Sequence, residues 1–158
     1  MTRGMIVGVG FVTVVVIYAA LSGLWVGADP GWYEKLPKAP WQPPDWVFGV
    51  IWPLNFLALA TAGISMARVD PARARPVLVV LAVSVIFALG WAYLFYVPHA
   101  LAASAASLAV AALLTWSVLI LTYRVIHWAG LLLVPYAIWM SLATSLAVWY
   151  AVSARPHG

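Results

Sequence analysis

Ten tryptophans, seven tyrosines and five phenylalanines in 158 residues are the side chains with the most chemistry to offer in this sequence. Four of the indoles, Trp52, Trp91, Trp116 and Trp139, stand well inside long apolar runs. An indole joins a large flat apolar face to one N–H donor, which wants a partner when buried. With Phe56, Phe87, Tyr93, Phe95 and Tyr136, these rings could wall a cavity for a flat, apolar, conjugated ligand. Packing of an ordinary core is the alternative, and composition does not choose between the two. Two prolines sharpen the pattern: Pro53 directly follows Trp52, and Pro135 precedes Trp139 by four residues, which puts that pair on one helical face. Proline inside a helix withholds a backbone donor and frees a carbonyl for a hydroxyl, a water or a ligand, although a plain packing kink is the commoner result.

Acid–base chemistry has little to work with. Asp29, Glu34, Asp45 and Asp70 are the only acids, and none follows residue 70. Hydrolysis by paired carboxylates is therefore unsupported. Proton relays, ion-coupled transport and voltage sensing need ionisable groups inside the membrane, and the long apolar runs hold no Asp, Glu, Lys or Arg. Cysteine is absent, which removes thiol catalysis and thiolate metal sites. His99, His127 and His157 lack metal-ligand spacing and read as loop or interface histidines, so no metal site is expected.

The elements that must position the indoles are set by hydropathy. With 66% hydrophobic and 8% charged residues and a mean hydropathy of +1.02, the chain has too little polar surface for a water-soluble domain. Nucleic-acid binding is excluded on the same ground. Charge-free gaps run from Arg3 to Asp29, Asp45 to Arg68, Arg75 to Arg124 and Arg124 to Arg155. Pro98-His99 divides the third gap, which is too long for one crossing of a core about 30 Å thick. An all-α integral membrane protein follows, a single domain over residues 1–158 with spans near 5–27, 46–67, 77–97, 100–123 and 129–152. Runs such as Val12 to Tyr18 lack the alternation of a barrel strand, and the first run is too long for an ordinary secretory signal. Arg3, Arg68, Arg73, Arg75 and Arg124 would share one side and Lys35, Lys38 and Arg155 the other, so the N-terminus is expected in the cytoplasm and the C-terminus outside. The one long connection, residues 28–45, sets Trp32, Tyr33 and Trp41 among five prolines. Such a segment is stiff and flat-surfaced, and it reads as a structured lid over the bundle. Alanine and serine stripes on the fourth span and Gly4 and Gly8 on the first allow close helix approach, within one bundle or across a homodimer.

Ordered motifs then carry a resemblance. Trp32-Tyr33, the run from Lys38 to Phe48 with Trp41-Gln42-Pro43-Pro44, then Trp52, then Val134-Pro135-Tyr136 with Trp139 and Ala143-Thr144 together resemble the translocator protein family, also called tryptophan-rich sensory protein (TspO/MBR). The resemblance implies a five-helix bundle, commonly a homodimer in the lipid bilayer, with a pocket beneath the first loop for porphyrin, haem-like tetrapyrroles or other flat aromatic ligands, and no required cofactor. It also implies, for some bacterial members, light- and oxygen-dependent breakdown of protoporphyrin. Trp52 and Trp139 match the two tryptophans implicated there: an indole touching a photoexcited porphyrin can donate an electron, and no acid or base is needed. Tyr33 and Trp41 would close the lid, Trp91 and Tyr136 would flank the ligand, and Phe56 and Ala143 complete the candidate ligand-binding set.

Departures from the family pattern fall near this pocket. Ala88-Leu89-Gly90-Trp91 replaces the usual Ala-Leu-Asn-Trp, Leu146-Ala147 replaces Leu-Asn, and Leu54-Asn55-Phe56 replaces a Leu-Tyr pair. The third-to-fourth connection is short, and an acid common in the fourth span is missing. Polar recognition of the ligand is thereby weakened or rearranged. The alternative reading is a lipid-, sterol- or partner-binding scaffold with a vestigial pocket. Leu146, Tyr150 and Arg155 fit a loose sterol-recognition pattern, although Tyr150 and Arg155 read more simply as an interfacial aromatic and a snorkelling cation.

Overall fold

The computed structural model describes residues 1–154, all helix and connection over that length. Arg155 and His157 lie outside the described residues. Helix α1 (Arg3–Ser22) begins where the Thr2 hydroxyl accepts from the Met5 amide at 3.2 Å. It ends earlier than hydropathy suggests, because Gly23 and Gly27 are poor helix formers and the chain turns there. The following connection contains a short helix, α2 (Pro30–Glu34), with Pro30 in its first turn and the Asp29 carboxylate accepting from the Trp32 amide at 3.1 Å.

Helix α3 (Asp45–Val69) runs through Pro53 without a break. The connection expected at residues 68–76 shrinks to Asp70. Its amide closes α3 on the Met66 carbonyl at 2.9 Å, and its carboxylate caps α4 (Pro71–Tyr96) by accepting from the Arg73 amide at 3.0 Å. Charge and Pro76 suggested a loop there, yet a proline near a helix start displaces few hydrogen bonds. Helix α5 (Leu101–Tyr123) follows a turn in which His99 takes a positive φ of 54°. The last span is two pieces, α6 (His127–Leu132) and α7 (Val134–Ser153), joined through Leu133. Pro135 therefore stands in the first turn of α7, a position that tolerates proline, rather than inside one continuous helix.

Counting α6 and α7 together, five helical segments among the described residues are long and apolar enough to cross a membrane. Helix α5 packs between α4 and α7, and α1 lies against α3 and α4. Small residues set the approach: a Cβ on Gly63 would lie 2.4 Å from the Phe11 ring, and one on Gly4 would lie 2.7 Å from the Ala67 carbonyl oxygen. Hydroxyls then join helices where no water competes. The Ser84 hydroxyl donates to the Ala111 carbonyl at 2.9 Å beside Thr115, and that of Ser107 donates to the Phe87 carbonyl at 2.7 Å. Of the expected α5 stripes, Ala111 is buried, whereas Ala102, Ala103 and Ala106 face outward.

Candidate functional site

The lid is fastened to α7. Trp149 Nε1 donates to the Pro37 carbonyl at 2.9 Å, Trp41 Nε1 donates to the Ser145 hydroxyl at 3.1 Å, and the Tyr150 hydroxyl donates to Gln42 Oε1. Gln42 in turn donates to the Tyr33 hydroxyl at 3.2 Å. On its other flank the lid meets the α4–α5 turn, where Trp32 stacks on His99 with ring centroids 3.8 Å apart. Ala39, Phe95, Leu146 and Tyr150 form a small apolar cluster beneath, with Trp32, Tyr33 and Leu36 packed on it. Prolines in the lid restrict the free chain, so these contacts hold a segment that has little entropy left to lose.

Under the lid is a cavity of about 730 Å³. Its wall combines Trp52 and Phe48 from α3, Trp91, Ala92 and Phe95 from α4, and Trp139, Ala143 and Ala147 from α7. Trp52 and Trp139 face each other edge to face, with centroids 6.5 Å apart at 87°. Tyr18 braces Trp52 from α1 at 5.8 Å, and Phe48 meets Trp139 at 5.0 Å. Trp139 is only 6% exposed, yet its Nε1 has no acceptor, and neither has Nε1 of Trp91. Pro53 cannot donate to the Gly49 carbonyl one turn back, and Gly49 belongs to the same wall. The deep wall therefore offers flat apolar faces, two unused N–H donors and an acceptor, while the carboxylates of Asp29, Glu34 and Asp45 also belong to the lining.

The expected site residues divide. Tyr33, Trp52, Trp91, Trp139 and Ala143 come together on the cavity wall. Phe56 stacks behind Trp52 at 5.7 Å, outside the lining. Tyr136 is buried in the main core, its hydroxyl 3.4 Å from that of Tyr18, and Trp41 is half-exposed on top of the lid. Trp116, Phe87 and Tyr93 face away from the cavity, with the Trp116 N–H donating to the Ser141 hydroxyl at 3.0 Å. Leu146 and Tyr150 line the cavity; Tyr150 is 4% exposed, held inward by Gln42, and is not an interfacial aromatic. Gln42, Ser145, Trp149 and His99 were not singled out as site residues. Their lid contacts, apart from Gln42–Tyr33, join positions more than sixty residues apart, for which sequence carries no signal.

The sequence pattern of the TspO/MBR family matches residues 11–152. The chain belongs to that family. CrtK of Rhodobacter capsulatus is 34% identical over 129 residues, spanning 77% of this chain and 79% of the relative. The tryptophan-rich sensory protein of Cereibacter sphaeroides is 30% identical over 115 residues, spanning 73% and 72%, and the tryptophan-rich protein TspO of Chlorobaculum tepidum is 33% identical over 124 residues, spanning 73% and 74%. Within this TspO/MBR chain the two asparagine replacements have different settings. Ala147 is on the cavity wall, whereas a Cβ on Gly90 would approach the Ser107 hydroxyl of α5 at 3.2 Å, outside the lining. Only the Ala147 position therefore removes polarity from the cavity. Asn55 is buried in α3 with Nδ2 unpartnered, and it too is outside the lining.

Proposed function

We propose that this TspO/MBR protein is a membrane receptor for flat tetrapyrroles of the porphyrin or haem type, which it senses, sequesters or passes on. The observation that carries the reading is the cavity between Trp52, Trp91 and Trp139, with two indole N–H groups left for an occupant. At about 730 Å³ it falls in the range of roughly 300–1,000 Å³ that ligand pockets occupy. Ring burial, at about 25 cal/mol per Å² of apolar area, and contact with indole faces supply the affinity. An open cavity of this size argues against a scaffold whose pocket has closed on itself.

Breakdown of the bound ring in light and oxygen is the secondary activity of this reading, with Trp52 and Trp139 as electron donors. With the N-terminus in the cytoplasm, the lid and the cavity mouth open on the outer side of the membrane. A homodimer, where it forms, can use the outward alanines of α5 for close backbone contact.

Quenching of tryptophan fluorescence by titrated protoporphyrin and by its dimethyl ester tests the reading. Saturable quenching that weakens in Trp52→Phe with Trp139→Phe is expected. Absence of saturable quenching by either ring removes the ligand class, and an undiminished affinity in the double variant removes those two indoles from the site. Bleaching in light at the same rate with denatured protein would leave no degradative activity to assign.

A further inference from the structure

The formal charge in the cavity lining is all acidic. Asp29, Glu34 and Asp45 are three of the four acids in the chain, and all three belong to the cavity lining. Among the described residues no Lys, Arg or His does so. Asp29 stands where α2 begins, with one carboxylate oxygen on the Trp32 amide and the other 3.9 Å from His99 Nε2. Glu34 closes α2, and Asp45 opens α3 across the mouth. The lid lysines are outside the lining but close to it: Lys38 Nζ sits 5.9 Å from the ring centroid of Tyr33, itself a lining residue, and Lys35 follows Glu34 as an exposed cap, so three lining carboxylates face one neighbouring ammonium held over a ring and one held out in solvent. The deep wall is apolar or aromatic, from Ala88 and Ala92 to Ala143, Leu146 and Ala147. An occupant seated against Trp52 and Trp139 must therefore carry its charged or strongly polar periphery toward the mouth, because a charge left on the deep wall would lose its hydration without a partner.

We propose that the cavity selects among tetrapyrroles by charge, taking rings with neutral or cationic side chains in preference to free dicarboxylates. This rests on the tetrapyrrole reading above. The acids alone would mark only a solvated rim. The second observation is the indole N–H of Trp139, more than nine-tenths buried on the same wall and without an acceptor, which calls for an occupant with acceptor atoms at depth. Together they describe a ligand polarised one way: acceptor atoms at the ring end, and esters, amides or ammonium groups at the mouth. Carboxylates there would meet three like charges, a juxtaposition that lowers affinity and slows entry.

The test uses the full chain in nanodiscs of zwitterionic lipid, with protoporphyrin, its dimethyl ester and a porphyrin bearing cationic substituents as probes, read by tryptophan quenching. An ester also partitions more readily into lipid, so the deciding number is the wild-type-to-variant ratio for each ring. In the combined variant Asp29→Asn, Glu34→Gln, Asp45→Asn, free-acid affinity should rise about tenfold and cationic-ring affinity should fall by a similar factor, with like and unlike charges about 10 Å apart. Asn at position 29 keeps a side-chain acceptor for the α2 cap. Should that variant fail to fold, added salt on the wild-type protein gives the same answer, strengthening free-acid binding and weakening cationic-ring binding. Equal ratios for the three rings, or free-acid binding that weakens with salt, overturns the selectivity while leaving the tetrapyrrole reading intact. Failure of all three rings to bind overturns both.

Discussion

The two ends of this bundle use glycine and polar groups in opposite ways. At the arginine end and through the middle, glycines are where helices touch: Gly130 lies against the backbone of Tyr123, Gly63 against Phe11 and Gly4 against the Ala67 carbonyl. Hydroxyls there are paired, as in Ser84 and Thr115 with the Ala111 carbonyl, and the Asn55 amide nitrogen is the exception in the packed interior. The recess of about 680 Å³ between α1 and α3 at that end is lined by exposed Met5, Val9 and Val12, which suits a lipid-facing groove. At the lid end Gly23, Gly27 and Gly49 all line the cavity, and a Cβ on any of them would meet nothing within 4 Å. Polar groups there are left over, as in Trp91 and Trp139. At one end the helices are close-packed against each other and the recess lies on the outer surface of the bundle. The other keeps space and unused donors, which is what a site for a guest requires.

The largest effect should come from breaking the packed end. Gly130→Ala would place a Cβ 2.5 Å from Tyr123 Cα, a backbone atom that cannot swing aside, and should destabilise the protein by about 3 kcal/mol or more. Gly63→Ala should follow at about 1–3 kcal/mol, since Phe11 must shift from its Cβ outward. Gly49→Ala should leave thermal stability in detergent almost unchanged. A tolerated Gly130→Ala, or an unstable Gly49→Ala, would dissolve the contrast between the ends.

A bulkier side chain at the open end separates folding from binding. Gly49→Leu projects into space, so the melting temperature should stay near wild type while tetrapyrrole quenching falls by tenfold or more. Trp139→Phe is the finer cut. It keeps an aromatic ring toward Phe48 but removes the N–H together with the second ring of the indole, so affinity should drop by about 1 kcal/mol or somewhat more, several-fold, by titration. Its counterpart in the packed end is Ser84→Ala, which deletes the bond to the Ala111 carbonyl and should lower stability by about 0.6 kcal/mol without touching affinity.

Charge gaps and proline positions made the five spans legible, because the cost of an ionised group in lipid confines charges to span ends. They were less informative about where helices stop. Asp70 and Pro71 look like a loop by charge, yet a carboxylate cap followed by a proline is also how a helix begins. At the site, the family resemblance named Trp139 and Ala143, which stand four residues apart on α7, and both reach the cavity. Phe56, expected on the cavity wall as well, does stack on Trp52, but the cavity ends at Trp52 and leaves Phe56 behind it. Tyr136 turns toward Tyr18, a contact between positions 118 residues apart that no local pattern encodes. Gln42 was legible only as part of a motif, and its bond to Tyr150 appears once the lid is folded onto α7.

The lid bond is also where the smallest effect should be measured. Tyr150→Phe keeps the ring packed beside Phe95 and removes the hydroxyl that holds Gln42. Trp149 and Trp41 still fasten the lid to α7 at Pro37 and Ser145, so the segment should loosen without detaching. A looser lid opens more often, and opening governs how fast a buried ligand leaves, whereas the contacts beneath it govern how tightly the ligand sits. Stopped-flow displacement of bound porphyrin should therefore show entry and exit both accelerated, by about two- to fourfold, with equilibrium affinity nearly constant. A change in affinity with constant exit rate would mean that the Tyr150 hydroxyl holds the guest rather than the lid. That result would make Tyr150, already on the cavity wall, a contact to the guest instead of a latch for the lid.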